Sequence, residues 1–120
     1  MKINYLRLVL IALSATMAFS TFCVASSMSG VTITRLSINR GVPQKIFIST
    51  STPVSLQSHP SCATDTNWNF VIPLVSDTDK ALYATLLAAY TSQSLVDLVG
   101  PDACDVYPTV ESRVSFVTHK

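Results

Sequence analysis

Residues 67–92 read NWNFVIPLVSDTDKALYATLLAAYTS, and the spacing of their apolar residues changes midway. In the first part Trp68, Phe70 and Ile72 alternate with other residues, as they do along a β-strand. After Ser76 two apolar series recur at helical spacing: Leu82, Leu86, Ala89 and Tyr83, Leu87, Tyr90. The pattern predicts a strand that runs into an amphipathic helix, with strand-like sequence before and after it.

The start and the outer side of this helix carry further signals. Ser76 is followed three residues later by Asp79, which is the spacing of a capping box, so Ser76 is expected to be the N-cap. The side of the helix that includes Ala84, Ala88 and Thr91 is nearly free of charge, whereas a solvated helix face is normally polar. We therefore expect Ala84, Ala88 and Thr91 to contact neighbouring subunits of a homo-oligomer.

The beginning of the chain resembles an export signal. Lys2 and Arg7 supply positive charge, and a long apolar run follows them. Small residues near Ala25 favour cleavage there, so residues 1–25 are predicted to be a signal peptide and residues 26–120 the mature domain. The protein is expected to be exported, to the periplasm or the exterior.

A lipid anchor at Cys23 is the competing interpretation of the same segment. Phe22 stands directly before this cysteine, where such processing requires a small residue. No second apolar run is long enough to span a bilayer, so membrane insertion is not expected.

The charge of the predicted mature domain is close to neutral. The whole chain carries 8 Lys and Arg against 7 Asp and Glu, and Lys2 and Arg7 belong to the signal. No basic block remains to neutralise a row of phosphates, which argues against nucleic acid and anionic membranes as partners. A domain of fewer than about 100 residues holds one modest core and commonly needs a covalent link or subunit association.

Two of the three cysteines remain after the signal is removed. In an oxidising compartment Cys62 and Cys104 are therefore expected to form a disulfide. A zinc site that also uses His59 and Asp102 is the alternative, but the paired C-x-x-C spacing is missing.

The sequence does not contain a set of residues typical of catalysis. His59 lies in a polar loop and His119 near the C-terminus, and neither has a neighbour that suggests a base with a nucleophile. Gly30, Gly41 and Gly100 are too dispersed for a phosphate-binding loop. We predict no enzymatic activity, no catalytic residue, no metal and no cofactor.

The predicted elements follow the order β-β-β-α-β-β. The strands lie within residues 30–39, 45–52, 68–75, 94–99 and 110–118. The apolar phase of the first strand changes near Thr34 and Arg35, which predicts a bulge or bend that lets one strand serve two sides of a curled sheet. The fold class is therefore predicted to be mainly β: a small five-stranded OB-fold-like barrel with one α-helix between the third and fourth strands. An open sheet with one helix packed on it is the alternative.

Several segments are similar to the mature B subunits of AB5-type toxins, the subtilase-cytotoxin and pertussis-like family. Residues 27–34, SMSGVTIT, resemble the lead-in and first strand of that family. Phe47, Cys62 and Trp68 fall at similar distances from it, and residues 89–96, AYTSQSLV, resemble the end of the family's helix and its next strand.

This resemblance implies an OB-fold subunit that assembles into a ring, commonly a pentamer, and delivers a separate catalytic A subunit. It also implies binding of sialylated or other glycans of host cell surfaces, and hence a role in virulence. The family's sugar-binding serine corresponds to Ser29, beside Met28, and simple counting brings a second sugar-binding position to Thr50. Short, fixed hydroxyls such as that of Ser29 suit sugar recognition.

The chain also departs from the family's pattern. Ala25 stands where the family has an acid, Thr50 where it has a glutamate, Gly100 where it has an aromatic residue, and Ile48 where a cysteine is expected. A stand-alone exported structural or interaction domain without a sugar site is therefore the alternative function.

Overall fold

The computed structural model describes residues 26–39, 41, 44–112 and 115–118. The predicted signal peptide, with Cys23, and His119 lie outside the described residues. The elements are β1 (Ser27–Val31), β2 (Ile33–Ile38), β3 (Lys45–Thr50), β4 (Phe70–Pro73), α1 (Asp77–Ser92), β5 (Val96–Val99) and β6 (Ser115–Thr118), with a 3-10 turn at Val54–Leu56. Within the described ranges, no helix combines the length and hydrophobicity needed to cross a bilayer.

The strands form two antiparallel sheets, ordered β1-β5-β6 and β2-β3-β4. The fold is mainly β with one helix between the strands, as predicted. The described residues contain six strands and no closed barrel, in contrast to the predicted five-stranded barrel.

The additional strand arises because the predicted first strand is divided at Thr32. The Thr32 N–H donates to Ser51 Oγ at 3.1 Å instead of to a strand carbonyl, and Ser51 N–H donates to Thr32 O at 2.9 Å. Gly30, with φ of 63°, donates its N–H to Asp97 Oδ1 at 2.8 Å and interrupts the register of β1. β1 therefore pairs with β5, whereas β2 pairs with β3.

The predicted irregularity near Thr34 is confirmed. The register between β2 and β3 shifts between Ile33 and Arg35, so Thr34 is the extra residue of a β-bulge. The bulge increases the local bend directly after the division at Thr32, and the chain passes from one sheet into the other over these few residues.

The predicted helix start is also confirmed. Ser76 Oγ accepts the Asp79 N–H at 3.1 Å, and Asp79 Oδ2 accepts the N–H groups of Ser76 and Val75 at 2.9 and 3.2 Å. The bond from the Ser76 N–H is the main reason why the pKa of Asp79 lies below its ordinary value. α1 ends at Ser92, and Gln93 adopts the left-handed conformation that closes many helices.

An inner core, which is mostly aliphatic, fills the space between the two sheets and α1. Its buried members are Met28, Val31, Ile33, Ile46, Ile48, Phe70, Ile72, Leu86, Ala89, Val96 and Leu98. Leu82, Tyr83 and Tyr90 of α1 pack against it half-buried, so one face of the helix covers the core as the periodicity predicts. Tyr90 is thus a packing residue.

A second apolar cluster occupies the opposite face of β3 and β4. This outer cluster is composed of Phe47, Val71, Val110, Trp68, Val106 and Tyr107. The ring of Phe47 contacts that of Tyr107 edge-on at 5.1 Å and that of Trp68 at 5.7 Å between centroids. Because alternate residues of a strand point to opposite faces, β3 and β4 are covered on both sides.

The last predicted strand, residues 110–118, is observed only as Ser115–Thr118. Val110 forms a single bridge with Tyr107, and Ser112 forms a single parallel bridge with Val71 of β4. Residues 103–112, which we call the cover segment, cross the outer face of β4. They form these isolated bridges there instead of a continuous ladder. Two other strands are also shorter than predicted. The strand predicted at residues 45–52 ends at Thr50, and the strand predicted at residues 68–75 begins at Phe70.

Candidate functional site

The disulfide between Cys62 and Cys104 is present, as predicted, with its Cα atoms 6.1 Å apart. It links the loop before β4 to the cover segment. The zinc alternative is wrong, because both thiols that it requires are oxidised to the disulfide. Among the described residues, no group of three or more His, Cys, Asp or Glu side chains is placed to hold a metal ion.

A cleft of about 480 Å³ opens in the loop that precedes β4. The surrounding residues, which we call the loop cleft, are Pro53, Val54, Ser55, His59, Ser61, Ala63, Thr64, Asp65 and Thr66. Val54 and Ala63 are buried and give the cleft an apolar wall, whereas its four serine and threonine residues are exposed. The cleft therefore offers hydroxyl groups beside an apolar surface.

The loop cleft is held by several interactions in addition to the disulfide. Ala63 N–H donates to Pro60 O at 2.9 Å and closes a turn around Cys62. Asp65 N–H donates to Thr109 O of the cover segment at 3.0 Å. The first bond stabilises the turn within the loop, and the second attaches the Asp65 end of the loop cleft to the cover segment.

The two titratable residues of the loop cleft bond to main-chain groups. Nδ1 of His59 lies 3.2 Å from Pro60 O. Asp65 Oδ1 accepts the N–H groups of Asn67 and Trp68 at 2.7 and 3.1 Å. Within the described residues, the hydrogen bonds of these two side chains therefore go to the main chain and not to a hydroxyl group of the cleft.

Glu111 is a carboxyl group with no exposed surface, close to the cleft. It accepts hydrogen bonds from the Ser26 hydroxyl, from Gln57 Nε2 at 3.3 Å and from the Asp102 N–H at 3.2 Å. Burial is the main cause that raises its pKa, and the bonds from Ser26 and Asp102 oppose the rise.

Gly100 makes room for this carboxyl group. A Cβ atom at Gly100 would overlap the Glu111 carboxylate and crowd the Ser26 hydroxyl. The Gly100 N–H also donates to Ser26 O at 2.7 Å. We call this meeting of Ser26, Gly100 and Glu111 the buried polar point. It joins the beginning of the described chain, the end of β5 and the cover segment.

A row of buried amides continues from this point towards β3. Gln57 Oε1 accepts from Asn69 Nδ2 at 2.9 Å, and Asn69 Nδ2 also donates to Thr52 O at 3.0 Å. Asn69 Oδ1 accepts the Thr50 N–H at 2.9 Å. Because each buried amide group has partners, the row costs little to bury and joins the 3-10 turn to both sheets.

The three residues predicted to bind glycans differ in exposure. Ser29 is exposed on β1, while Met28 and Thr50 are 6% and 7% exposed. The Thr50 hydroxyl lies 3.6 Å from Met28 Sδ and donates to Thr52 O at 3.0 Å. Of the three, only Ser29 presents its side chain to solvent, and its role in sugar binding stays a prediction.

The three predicted interface residues share one exposed surface. Ala84, Ala88 and Thr91 are all exposed on the side of α1 that faces away from the inner core. Thr91 Oγ1 donates to Leu87 O and Ala88 O at 3.0 Å, so its methyl group is the outward part. We call this surface the helix face. Its contact with other subunits stays a prediction.

Sequence reasoning missed the buried polar point at Glu111. The alternation of residues 110–118 groups Glu111 with exposed positions of a strand, and no local pattern indicates otherwise. Its partners Ser26, Gln57 and Gly100 are distant in sequence and are brought together only by the fold. Gly100 at the end of β5 is the one available hint, since glycine there marks a turn as well as a close approach.

The ring of Trp68 takes part in two contacts within the domain. Its ring packs on Phe47, and the Arg35 guanidinium carbon lies 4.7 Å from the ring centroid. Arg35 also donates to Asn67 O at 3.0 Å. Trp68 is therefore half-buried and packs within the domain.

Comparison with protein-family models, with curated proteins and with solved structures finds no match to this chain.

Proposed function

We propose that this protein is an exported glycan-binding subunit that assembles into a homo-oligomer, with the loop cleft as its sugar site. The observation that carries the proposal is the combination, in one cleft, of four exposed hydroxyl residues with a buried apolar wall. Sugars present many hydroxyl groups and one apolar face, and replacing their water contacts requires fixed polar partners. The disulfide at Cys62 supplies that rigidity by limiting the movement of the loop.

The resemblance to AB5-type toxin B subunits supports the same class of function. It adds a ring, commonly a pentamer, that displays sugar sites to host cells and carries a catalytic A subunit. It assigns sugar binding to Ser29 instead of the loop cleft, so the two sites are distinct hypotheses for one function.

Three features support an OB-fold-like barrel as the finer architecture. The chain from β1 to β2 serves both sheets, and α1 lies between the third and fourth strands if β1 and β2 count as one bent strand. The parallel bridge between Val71 and Ser112 brings the cover segment beside β4, where a five-stranded barrel would close.

The helix face supports assembly. Its members Ala84, Ala88 and Thr91 are small and uncharged, so the backbone of α1 can approach a neighbouring subunit closely. Leu87 beside them is 41% exposed and would be covered by the same contact. The lack of charge on this face agrees with the depletion of charged residues at the centre of protein interfaces.

A glycan array with the exported, processed protein tests the binding function. We expect Ser61→Ala combined with Thr64→Ala to abolish binding if the loop cleft is the site, and Ser29→Ala to abolish it if the resemblance is right. Thr78→Ala, which removes an exposed hydroxyl in the first turn of α1, is the matched control. Absence of binding to every glycan would reject the proposal in favour of a stand-alone interaction domain.

Light scattering on the same protein tests assembly. We expect a mass several times that of one chain, and we expect Ala84→Glu or Ala88→Glu to reduce it to the monomer without loss of helical circular dichroism. Thr78→Glu adds the same charge outside the helix face and should leave the oligomer intact. A monomeric wild type, or an oligomer unchanged by both alanine variants, would contradict assembly through this surface.

A further inference from the structure

Within the described part of the chain, no lysine, arginine or histidine forms a salt bridge with Glu111. The one salt bridge there joins Lys80 to Asp77 at the surface. Among the described residues, the charge of Asp102 raises the pKa of Glu111 and the presence of His59 lowers it. A carboxylate with no exposed surface is normally paired, because burying an isolated charge is costly.

Ser26 contacts Glu111 through its side chain, which keeps its backbone nitrogen in the same buried region. Ser26 is 1% exposed, its hydroxyl donates to Glu111, and its carbonyl accepts from Gly100. Within a serine residue the backbone nitrogen lies about 3 to 4 Å from its own hydroxyl, since only three bonds separate them. The hydroxyl bond therefore holds this nitrogen within about 6 Å of the Glu111 carboxylate.

The same residue is the one that the sequence predicts to become the first of the mature chain. Signal cleavage adds water across the Ala25–Ser26 peptide bond, which leaves a carboxylate on Ala25 and an amine on Ser26. The amine takes up a proton at neutral pH, because its ordinary pKa is about 7.7 to 8.0. In the precursor this nitrogen is an uncharged amide.

We propose that the Ala25–Ser26 bond is the processing site of this protein and that the terminal ammonium of Ser26 binds Glu111 as its buried counter-ion. An endopeptidase of the export pathway performs the cleavage, and the fold then encloses the product ammonium between β5 and the cover segment. Gly100 is required because any side chain there would occupy the space of the ion pair. The proposal rests on the predicted signal peptide and is independent of glycan binding.

The pairing reverses the expected response of stability to acid. Without the ammonium, the pKa of Glu111 is raised by burial, so its protonation favours folding and stability increases as the pH falls through that raised pKa. With the ammonium, Glu111 is held charged and its pKa is lowered, so stability is lost as the pH falls through the lowered pKa. The raised pKa of the paired ammonium adds a second loss as the pH rises through it.

The first test is the intact mass of the protein recovered after export of the full chain. We expect the mass of residues 26–120, less two hydrogen atoms for the disulfide. A chain that begins at any other residue would overturn the proposal.

The second test displaces the ammonium. Insertion of one glycine between Ala25 and Ser26, with the new start verified by mass, moves the charge by about 3.8 Å. We expect the unfolding midpoint to fall by roughly 10 °C, as when one partner of a buried pair is lost, and the acid response to reverse sign. The same insertion is then made in the Glu111→Gln variant. If it lowers the unfolding midpoint by the same amount there, the insertion acts only on packing and the ion pair is contradicted.

Two further variants keep this test decisive. Ser26→Ala removes the hydroxyl but keeps the terminal ammonium, so the loss of stability on acidification should persist even if Glu111→Gln does not fold. Arg113→Gln removes a basic residue close in sequence and should leave the effect of the glycine insertion unchanged. Loss of the acid response in Arg113→Gln would assign the counter-ion to Arg113 and contradict the proposal.

Discussion

The inner core and the outer cluster lie on opposite faces of the same two strands and are covered in different ways. The inner face of β3 and β4 is covered by a second sheet and by α1, which are regular elements. The outer face is covered by the cover segment, which has only two single bridges near its end. Hydrophobic residues alternate equally well on both faces, so the difference arises from what covers them.

The attachment of the cover segment depends on a few separate links. The Val71 N–H donates to Glu111 O at 2.9 Å, and the Asp65 N–H donates to Thr109 O at 3.0 Å. The disulfide at Cys104 adds a covalent link at the start of the segment. The outer cluster should therefore be the less cooperative of the two regions.

Truncation of one aromatic residue on each face should give the largest effect. Phe70 is fully buried in the inner core, and Phe70→Ala should lower the free energy of unfolding by about 4 to 5 kcal/mol, measured by urea denaturation. Phe47→Ala in the outer cluster should cost about 3 kcal/mol, because the irregular cover segment can relax into the cavity. Equal losses would contradict a difference in rigidity between the two faces.

Removal of the disulfide should separate the two regions. Replacing Cys62 and Cys104 by alanine frees a loop with a sequence separation of 42 and should cost about 4 kcal/mol in the chain-entropy model. Fluorescence of Trp68, the single tryptophan, should then change at a lower denaturant concentration than the circular dichroism of α1. Coincident transitions would show that the outer cluster unfolds together with the inner core.

Loss of the helix cap should weaken only the cover of the inner core. Ser76→Ala removes the acceptor of the Asp79 N–H and should cost about 1 kcal/mol in urea denaturation, with Thr78→Ala as the control. Because the pKa of Asp79 is lowered in the fold, its contribution is present at neutral pH and lost as the pH falls through that lowered pKa. An unchanged acid response in Asp79→Asn would contradict this contribution.

The contact of Arg35 with Trp68 should give the smallest effect. Arg35→Ala should cost about 0.5 to 1 kcal/mol, because the guanidinium is exposed and its attraction to the ring is screened. Arg35→Leu keeps the apolar part of the side chain over the ring and separates packing from charge. If Leu fully restores stability, the contact is apolar coverage and the cation–π attraction contributes nothing.

The parts of the fold that follow from local sequence could be predicted. Ser76 and Asp79 define the start of α1 through their own hydrogen bonds, and the phase change near Thr34 marks a bulge that is present. The disulfide follows from cysteine number, because only Cys62 and Cys104 remain after the predicted signal. These features depend on neighbours in sequence or on simple counting.

The remaining parts depend on contacts between distant residues. The alternation of residues 110–118 fits a strand, but the hydrogen bonds of Glu111 and Ser112 to Val71 and Ala103 divert the chain across β4. The prediction that Met28 binds glycans comes from the family resemblance alone. Its burial results from contacts with Thr50 and the inner core, which are distant in sequence. No local pattern carries this information.

The central position of β3 has a consequence for how the protein exchanges its amide hydrogens. β3 is paired on both edges, and residues 46–50 are all buried. Solvent reaches these amides only if the cover on both faces and a neighbouring strand are displaced together, which amounts to unfolding the domain. The exchange rates of residues 46–50 should therefore report the global free energy of unfolding. Amides elsewhere that exchange faster than those of β3 would do so through local opening.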